Sequence, residues 1–186
     1  MRLPYLIALL LIITSCKNTN KTPLVADNNT LSNSPAETVQ PLQTSITYEK
    51  DTITLSTKHN PNFIIADLDG DNHPDSVKLV QHIANKKFGL LIKFGNNTTA
   101  TFGLGQDVLQ QGFDDLDWVG VFEKANKGDV YYNNVNDDGE IMSEEQVPEK
   151  DKIKLPHDAI FIHAAESCGG GIIYFNTGKF NWIQQE

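Results

Sequence analysis

Ile172-Ile173-Tyr174-Phe175-Asn176-Thr177-Gly178-Lys179-Phe180-Asn181-Trp182-Ile183 is two apolar, aromatic-rich runs separated by an Asn-Thr-Gly break. Aromatic and β-branched side chains suit a pleated surface, and a short Gly-bearing break between two such runs makes a β-hairpin. Just upstream, Ala159 to Ala164 is apolar on both faces, the pattern of a central strand. Trp118 to Phe122 and Val130 to Tyr132 read as further strands joined through Lys127-Gly128. Phe88 to Phe94 and Thr99 to Leu104 form a second hairpin across Gly95-Asn96-Asn97. Ser76 to Ile83 interleaves Val77 and Leu79 with Lys78 and Gln81, which suits a half-buried strand. Ile53-Thr54-Leu55 and Phe63-Ile64-Ile65 complete the series. Gln106 to Gln111, ending at Gly112, is the best helix candidate, and the charged Glu144 to Lys152 stretch with Pro148 reads as loop. The fold class is therefore mainly β, a curled antiparallel sheet of short strands, with α+β as the alternative through that one short helix.

The 186 residues carry 15 Lys+Arg against 24 Asp+Glu, a formal charge of −9. That balance counts against a nucleic-acid partner, because phosphate neutralisation needs clustered cations. Two cysteines cannot build a disulfide framework. The globular part, 46–186, is long enough for one core. Residues 17–45 are dominated by Asn, Thr, Ser and Pro and contain no aromatic, so they cannot bury enough surface to offset their ordering entropy. They read as a disordered linker with an rms reach of about 30 Å.

Arg2 precedes an apolar run, Leu3 to Ile13, broken only by Pro4. The run is too short to span a bilayer and reads as a secretory signal peptide. It ends in Ile13-Thr14-Ser15-Cys16, which resembles the lipobox of bacterial lipoproteins. The resemblance implies removal of residues 1–15 and acylation of Cys16 by palmitate-type chains. Several chains suffice for stable anchoring where one does not. Lys17, in place of Asp, argues by the same resemblance against inner-membrane retention. The acidic residues of surface-export signals are absent from Asn18-Thr19-Asn20. The expected location is the outer membrane, on its periplasmic face.

Ala66-Asp67-Leu68-Asp69-Gly70-Asp71-Asn72-His73-Pro74-Asp75 places four carboxylates at relative positions 1, 3, 5 and 9. Calcium takes six to eight oxygens from carboxylates, carbonyls and water. Odd spacing brings Asp67, Asp69 and Asp71 to one side of a tight turn, with Asp75 closing it and His73 offering its carbonyl. Gly70 and Asn72 both tolerate φ > 0, as so sharp a loop requires. Each converged carboxylate pair costs on the order of 4 kcal/mol at an effective dielectric of 20 without a cation. Magnesium fits less well, because it gives up water reluctantly. Lys78 stands where an EF-hand has its closing Glu, so this is not an EF-hand. The strand, acidic loop and Val-rich strand resemble the calcium loop of FG-GAP/VCBS-type repeats over about twenty residues. The resemblance implies a hairpin stapled by calcium and transfers no activity.

Asn134 to Glu145 fits twelve-residue EF-hand spacing through Asn134, Asn136, Asp138, Glu140 and Glu145, making a second candidate cation loop. The strand-like residues before it favour a plain turn at Asp138-Gly139 instead. Asp114-Asp115-Leu116-Asp117-Trp118 reads as a surface loop with Trp118 in the core, or as a source of further ligands for the first loop. Cys168, beside Gly169-Gly170-Gly171 and downstream of His157 and His163, has the rough outline of a thiol acyl-transfer site. No local nucleophile signature surrounds it, and the expectation is that the chain is not an enzyme. The favoured function is a calcium-stabilised, lipid-anchored binding module with a protein or glycan partner. The alternatives are an inhibitor or immunity-type lipoprotein facing a secreted hydrolase, and a Cys168 enzyme.

Overall fold

The computed structural model describes residues 52–186, apart from Asp137, Ser167 and Cys168. The leader, Cys16 and the linker lie outside the described residues. Along the chain run β1 (Ile53–Leu55), β2 (Phe63–Ala66), β3 (Asp75–His82), β4 (Phe88–Lys93), β5 (Thr99–Gly103), β6 (Val119–Ala125) and β7 (Val130–Tyr131). After two single 3₁₀ turns at Glu144–Gln146 and Glu149–Asp151 come β8 (Ile153–Lys154), β9 (Ala159–Ala164), β10 (Gly170–Asn176) and β11 (Lys179–Gln185). All pairings are antiparallel, and the protein is mainly β.

The hairpin that decides the fold is β10–β11, with Ile173 opposite Trp182 and Phe175 opposite Phe180. Together with β9 and β6 it forms one sheet, ordered β11-β10-β9-β6. Its two faces are both covered, and this explains why β9 and β10 read as apolar throughout. On one face Ile160, Ile162, Ile173 and Phe180 meet Leu79, Leu90, Ile92 and Phe94 of the other sheet in the main core. On the opposite face Ala159, Ile172 and Ile183 pack with Leu155, Tyr131 and Ile153 from the β7–β8 ribbon. Phe180 sets the contact between sheets, its ring meeting Phe102 edge-on at 5.0 Å and Phe94 at 6.0 Å.

The other sheet is ordered β1-β3-β4-β5, and β2 also pairs with β3. One edge of β3 is thus shared: β1 covers Val80 to His82 and β2 covers Asp75 to Lys78. In β6 the register against β9 shifts between Val119 and Val121, a bulge at Gly120. The bulge lets Val119 and Phe122, three residues apart, both enter the main core. A Cβ at Gly120 would stand 2.4 Å from the Ala165 Cβ and 2.7 Å from its backbone nitrogen, so only glycine allows this approach.

Residues 106–111 are not a helix, which corrects that expectation. Leu109 and Gln110 have φ of +51° and +65°, and a right-handed helix cannot contain two successive left-handed residues. The Asp107 carboxylate accepts the Gly112 N–H at 2.7 Å, so a side chain supplies the bond that a helical carbonyl would otherwise make. Trp118, just before β6, is partly buried and packs against the main core, and Leu116 beside it in the acidic 114–118 stretch is fully buried.

The loop between β1 and β2 carries a buried imidazole. His59 Nδ1 pairs with Ser56 Oγ at 2.7 Å, and the ring meets Phe88 edge-on at 5.0 Å. Burial, then the neighbouring Lys58 charge, holds His59 below its usual pKa of 6.5. The unfolded chain therefore takes up this proton first. The His59 contribution to stability is flat above about pH 6.5 and falls as pH drops below it, with a slope of at most about 1.4 kcal/mol per pH unit. Urea unfolding of His59→Gln between pH 7.5 and 5.5 should lack this component. An unchanged slope would rule His59 out as its source.

Candidate metal centre

The acidic loop joins β2 to β3, which are zipped up to the Ala66–Asp75 pair. Gly70 and Asn72 lie at φ of +77° and +63°, so the backbone reverses sharply. A Cβ on Gly70 would also stand 2.1 Å from His157 Nδ1, whose imidazole lies directly against the turn. Asp67, Asp69 and Asp71 each bond to backbone ahead of them. Asp67 Oδ1 accepts from Gly70 N at 2.8 Å and Oδ2 from Asn72 N at 3.2 Å. Asp69 Oδ1 accepts from Asp71 N at 3.2 Å, and Asp71 Oδ1 from His73 N at 2.7 Å. These local bonds fix the carboxylates in place before any ligand arrives.

One carboxylate oxygen from each of Asp67, Asp69 and Asp71 lies within 4.8 Å of the others. Oxygens on opposite sides of a calcium ion stand about 5 Å apart, given Ca–O distances of 2.3–2.6 Å, so the three fit one coordination shell. Asp69 Oδ2 accepts no hydrogen bond among the described residues, which leaves it open to a cation. The His73 imidazole is exposed and lies 3.3 Å from Asp71 Oδ2.

Asp75 stands apart from this group. It is fully buried, with Oδ2 accepting from Leu68 N at 2.7 Å and Oδ1 from Gly95 N at 2.8 Å. Burial raises its pKa, against the lowering effect of those two N–H donors. Both oxygens are committed to backbone, so Asp75 is a strut that ties the acidic loop to the β4–β5 turn.

Asp158 is the site residue that sequence reasoning missed. The loop docks on the opposite sheet through a reciprocal pair: Asp67 N donates to Asp158 Oδ2 at 3.2 Å, and Asp158 N donates to Asp67 O at 3.1 Å. Lys124 Nζ lies 3.2 Å from the same carboxylate, and Lys127 N donates to its other oxygen at 3.1 Å. Burial alone would raise the Asp158 pKa. The Lys127 and Asp67 N–H donors and the Lys124 ammonium outweigh it and hold the carboxyl below the usual range. Asp158 is 91 residues from Asp67 in sequence, and no local spacing signals the pairing.

The second acidic stretch is a tight turn. Val135 bridges Ile141, Asn136 Oδ1 accepts from Asp138 N and Glu140 N, and Gly139 N donates to Asn136 O. Asn134 is bonded to the chain end through Glu186, and exposed Glu145 sits in a 3₁₀ turn. Among the described residues this stretch gathers no group of three metal-ligating side chains. Asp114 pairs with Lys87, Asp115 caps Phe88 N at 2.9 Å, and Asp117 pairs with Lys58 at 2.6 Å, so none of the three joins the first loop. Cys168 lies outside the described residues. His157 precedes β9 and His163 lies near its far end, so the two do not form a pair. No family model, no curated protein and no solved structure matches the chain.

Proposed function

We propose that the chain is a binding domain stabilised by calcium at the Asp67–Asp71 turn and carried on a lipid anchor at Cys16, facing the periplasm from the outer membrane. The observation that carries the cation half is the gathering of three carboxylates on a turn already shaped by its own backbone bonds. The anchor half is supported by the Leu3–Ile13 run and its Ile13-Thr14-Ser15-Cys16 ending. The work of such a domain is recognition of a protein or glycan, with the ion bracing a turn whose backbone at Asp67 is docked on Asp158.

Binding to the native state alone stabilises by RT ln(1 + [Ca²⁺]/Kd), about 2.7 kcal/mol at a hundredfold excess over Kd. For a domain of this size that raises Tm on the order of 10 °C. Scanning calorimetry of the full chain in CaCl₂ and in EDTA checks this, and Asp69→Asn should abolish the increment. Equal melting in calcium and EDTA would sink the cation reading.

A further inference from the structure

At the end of β9 away from the acidic loop, a cavity of about 370 Å³ opens beside the start of β6. Phe113 and Trp118 wall it, meeting edge-to-face at 5.6 Å, and Phe113 meets Trp182 in turn at 5.8 Å. Gln111, Gln184 and the Gly169–Gly170 backbone complete the lining, and the Gln184 amide is already engaged, accepting from Trp182 Nε1 at 3.0 Å and donating to Glu186 Oε1 at 3.0 Å. A Cβ on Gly170 would stand 2.5 Å from both the Ile162 carbonyl oxygen and His163 Cδ2 of β9, so only glycine fits at that position. Gln111 is held over the opening by the two left-handed residues before it, Leu109 and Gln110. Strained non-glycine backbone of this kind persists where the surroundings over-determine it, and it gathers at ligand sites.

The lining selects a ligand class. The described lining residues offer aromatic rings, amides and bare backbone, and none of them is ionisable. Aromatic faces beside an amide oxygen suit a ligand that is apolar on its faces and carries hydroxyls at its edges. The Gln111 amide nitrogen bonds to Leu109 O at 3.0 Å, while its oxygen accepts no hydrogen bond among the described residues and is free for a hydroxyl. The volume lies within the ~300–1,000 Å³ typical of small-ligand pockets. We propose that this cavity is a binding site for a neutral carbohydrate, one or two sugar units of a glycan, stacked on Trp118 and hydrogen-bonded by Gln111. The inference rests on and deepens the reading of the domain as a binding module, and it is independent of the cation site proposed at the other end of β9.

Both tryptophans of the chain, Trp118 and Trp182, belong to this aromatic group, so intrinsic tryptophan emission reports on the site. The test titrates the full chain with cellobiose, maltose and N,N′-diacetylchitobiose, and with N-acetyl-leucinamide as an apolar peptide probe. A saturable emission change with at least one disaccharide is expected at up to roughly 10 mM. Trp118→Ala should weaken it by about tenfold or more, since a stacked aromatic is the kind of anchor that dominates binding. Gln111→Ala, at an exposed position that leaves the core intact, should weaken it several-fold with Tm unchanged. No saturable change with any of the three sugars, or saturation by N-acetyl-leucinamide alone, overturns the proposal. Sugar binding that persists in EDTA, in a chain that melts alike with and without calcium, upholds the pocket while removing the cation.

Discussion

Asp75→Ala loses about 3 kcal/mol of unfolding free energy, and Asp75→Asn loses nearly as much. The wild-type carboxylate accepts two backbone N–H bonds in a site with no exposure, one from the buried Leu68 and one from Gly95. Hydrogen bonds to a charged group contribute roughly 1.5–3 kcal/mol each, and a buried donor left unpaired costs its full desolvation. Relief of the buried charge offsets part of that loss. Asparagine keeps one acceptor and turns an NH₂ toward the other donor, so it cannot restore the pair. Urea unfolding in EDTA isolates this effect from any cation, and a loss below about 1 kcal/mol in both variants would show that Asp75 is not a strut. Both variants should also keep the calcium-dependent rise in Tm, because the carboxylate they lose is not in the converged group.

Phe180→Ala costs about 3–5 kcal/mol, the range for removing a buried aromatic ring. Phe180 is 7 % exposed and meets Phe175 at 4.9 Å, Phe102 at 5.0 Å and Phe94 at 6.0 Å. Its removal opens a cavity where the two sheets face each other, and three rings lose a partner at once. Phe180→Leu keeps most of the volume and should cost less than half as much. Calorimetric Tm values for the two variants check the ordering. Similar losses for both would show that ring geometry rather than volume matters here.

The local periods of the sequence were enough to find the long strands, because β3 and β4 bury a continuous face, β9 and β10 bury residues on both faces, and β11 follows β10 across the Asn176-Thr177-Gly178 turn. Turn chemistry also carried through: Asn97 and Gly178 have the positive φ that their hairpins need. The misreading at 106–111 came from the same source as the successes. Two apolar residues, Val108 and Leu109, a Gln pair and a terminal Gly fit a short helix locally, while the bond from Gly112 N to Asp107 and the packing of Val108 into the core override it. Within the acidic loop, spacing alone treated positions 1, 3, 5 and 9 alike. Position 9 is already the first residue of β3, paired with Ala66, and strand geometry turns its carboxylate inward. The docking of Asp67 on Asp158 and the pairing of β7 with β8 are contacts between distant segments, and no periodicity encodes them.

The shared edge of β3 has a consequence for how copies of the protein behave when crowded. A single long strand there would present an unbroken ladder of free N–H and C=O groups to any neighbour. Instead the outer strands are three and four residues long, with the seven residues of the 56–62 loop between them. Phe63 and Ile65 are exposed on the four-residue piece, about half their surface open to solvent. An incoming strand would find too short a template to pair with, so this apolar border resists edge-to-edge aggregation by its brevity rather than by charge.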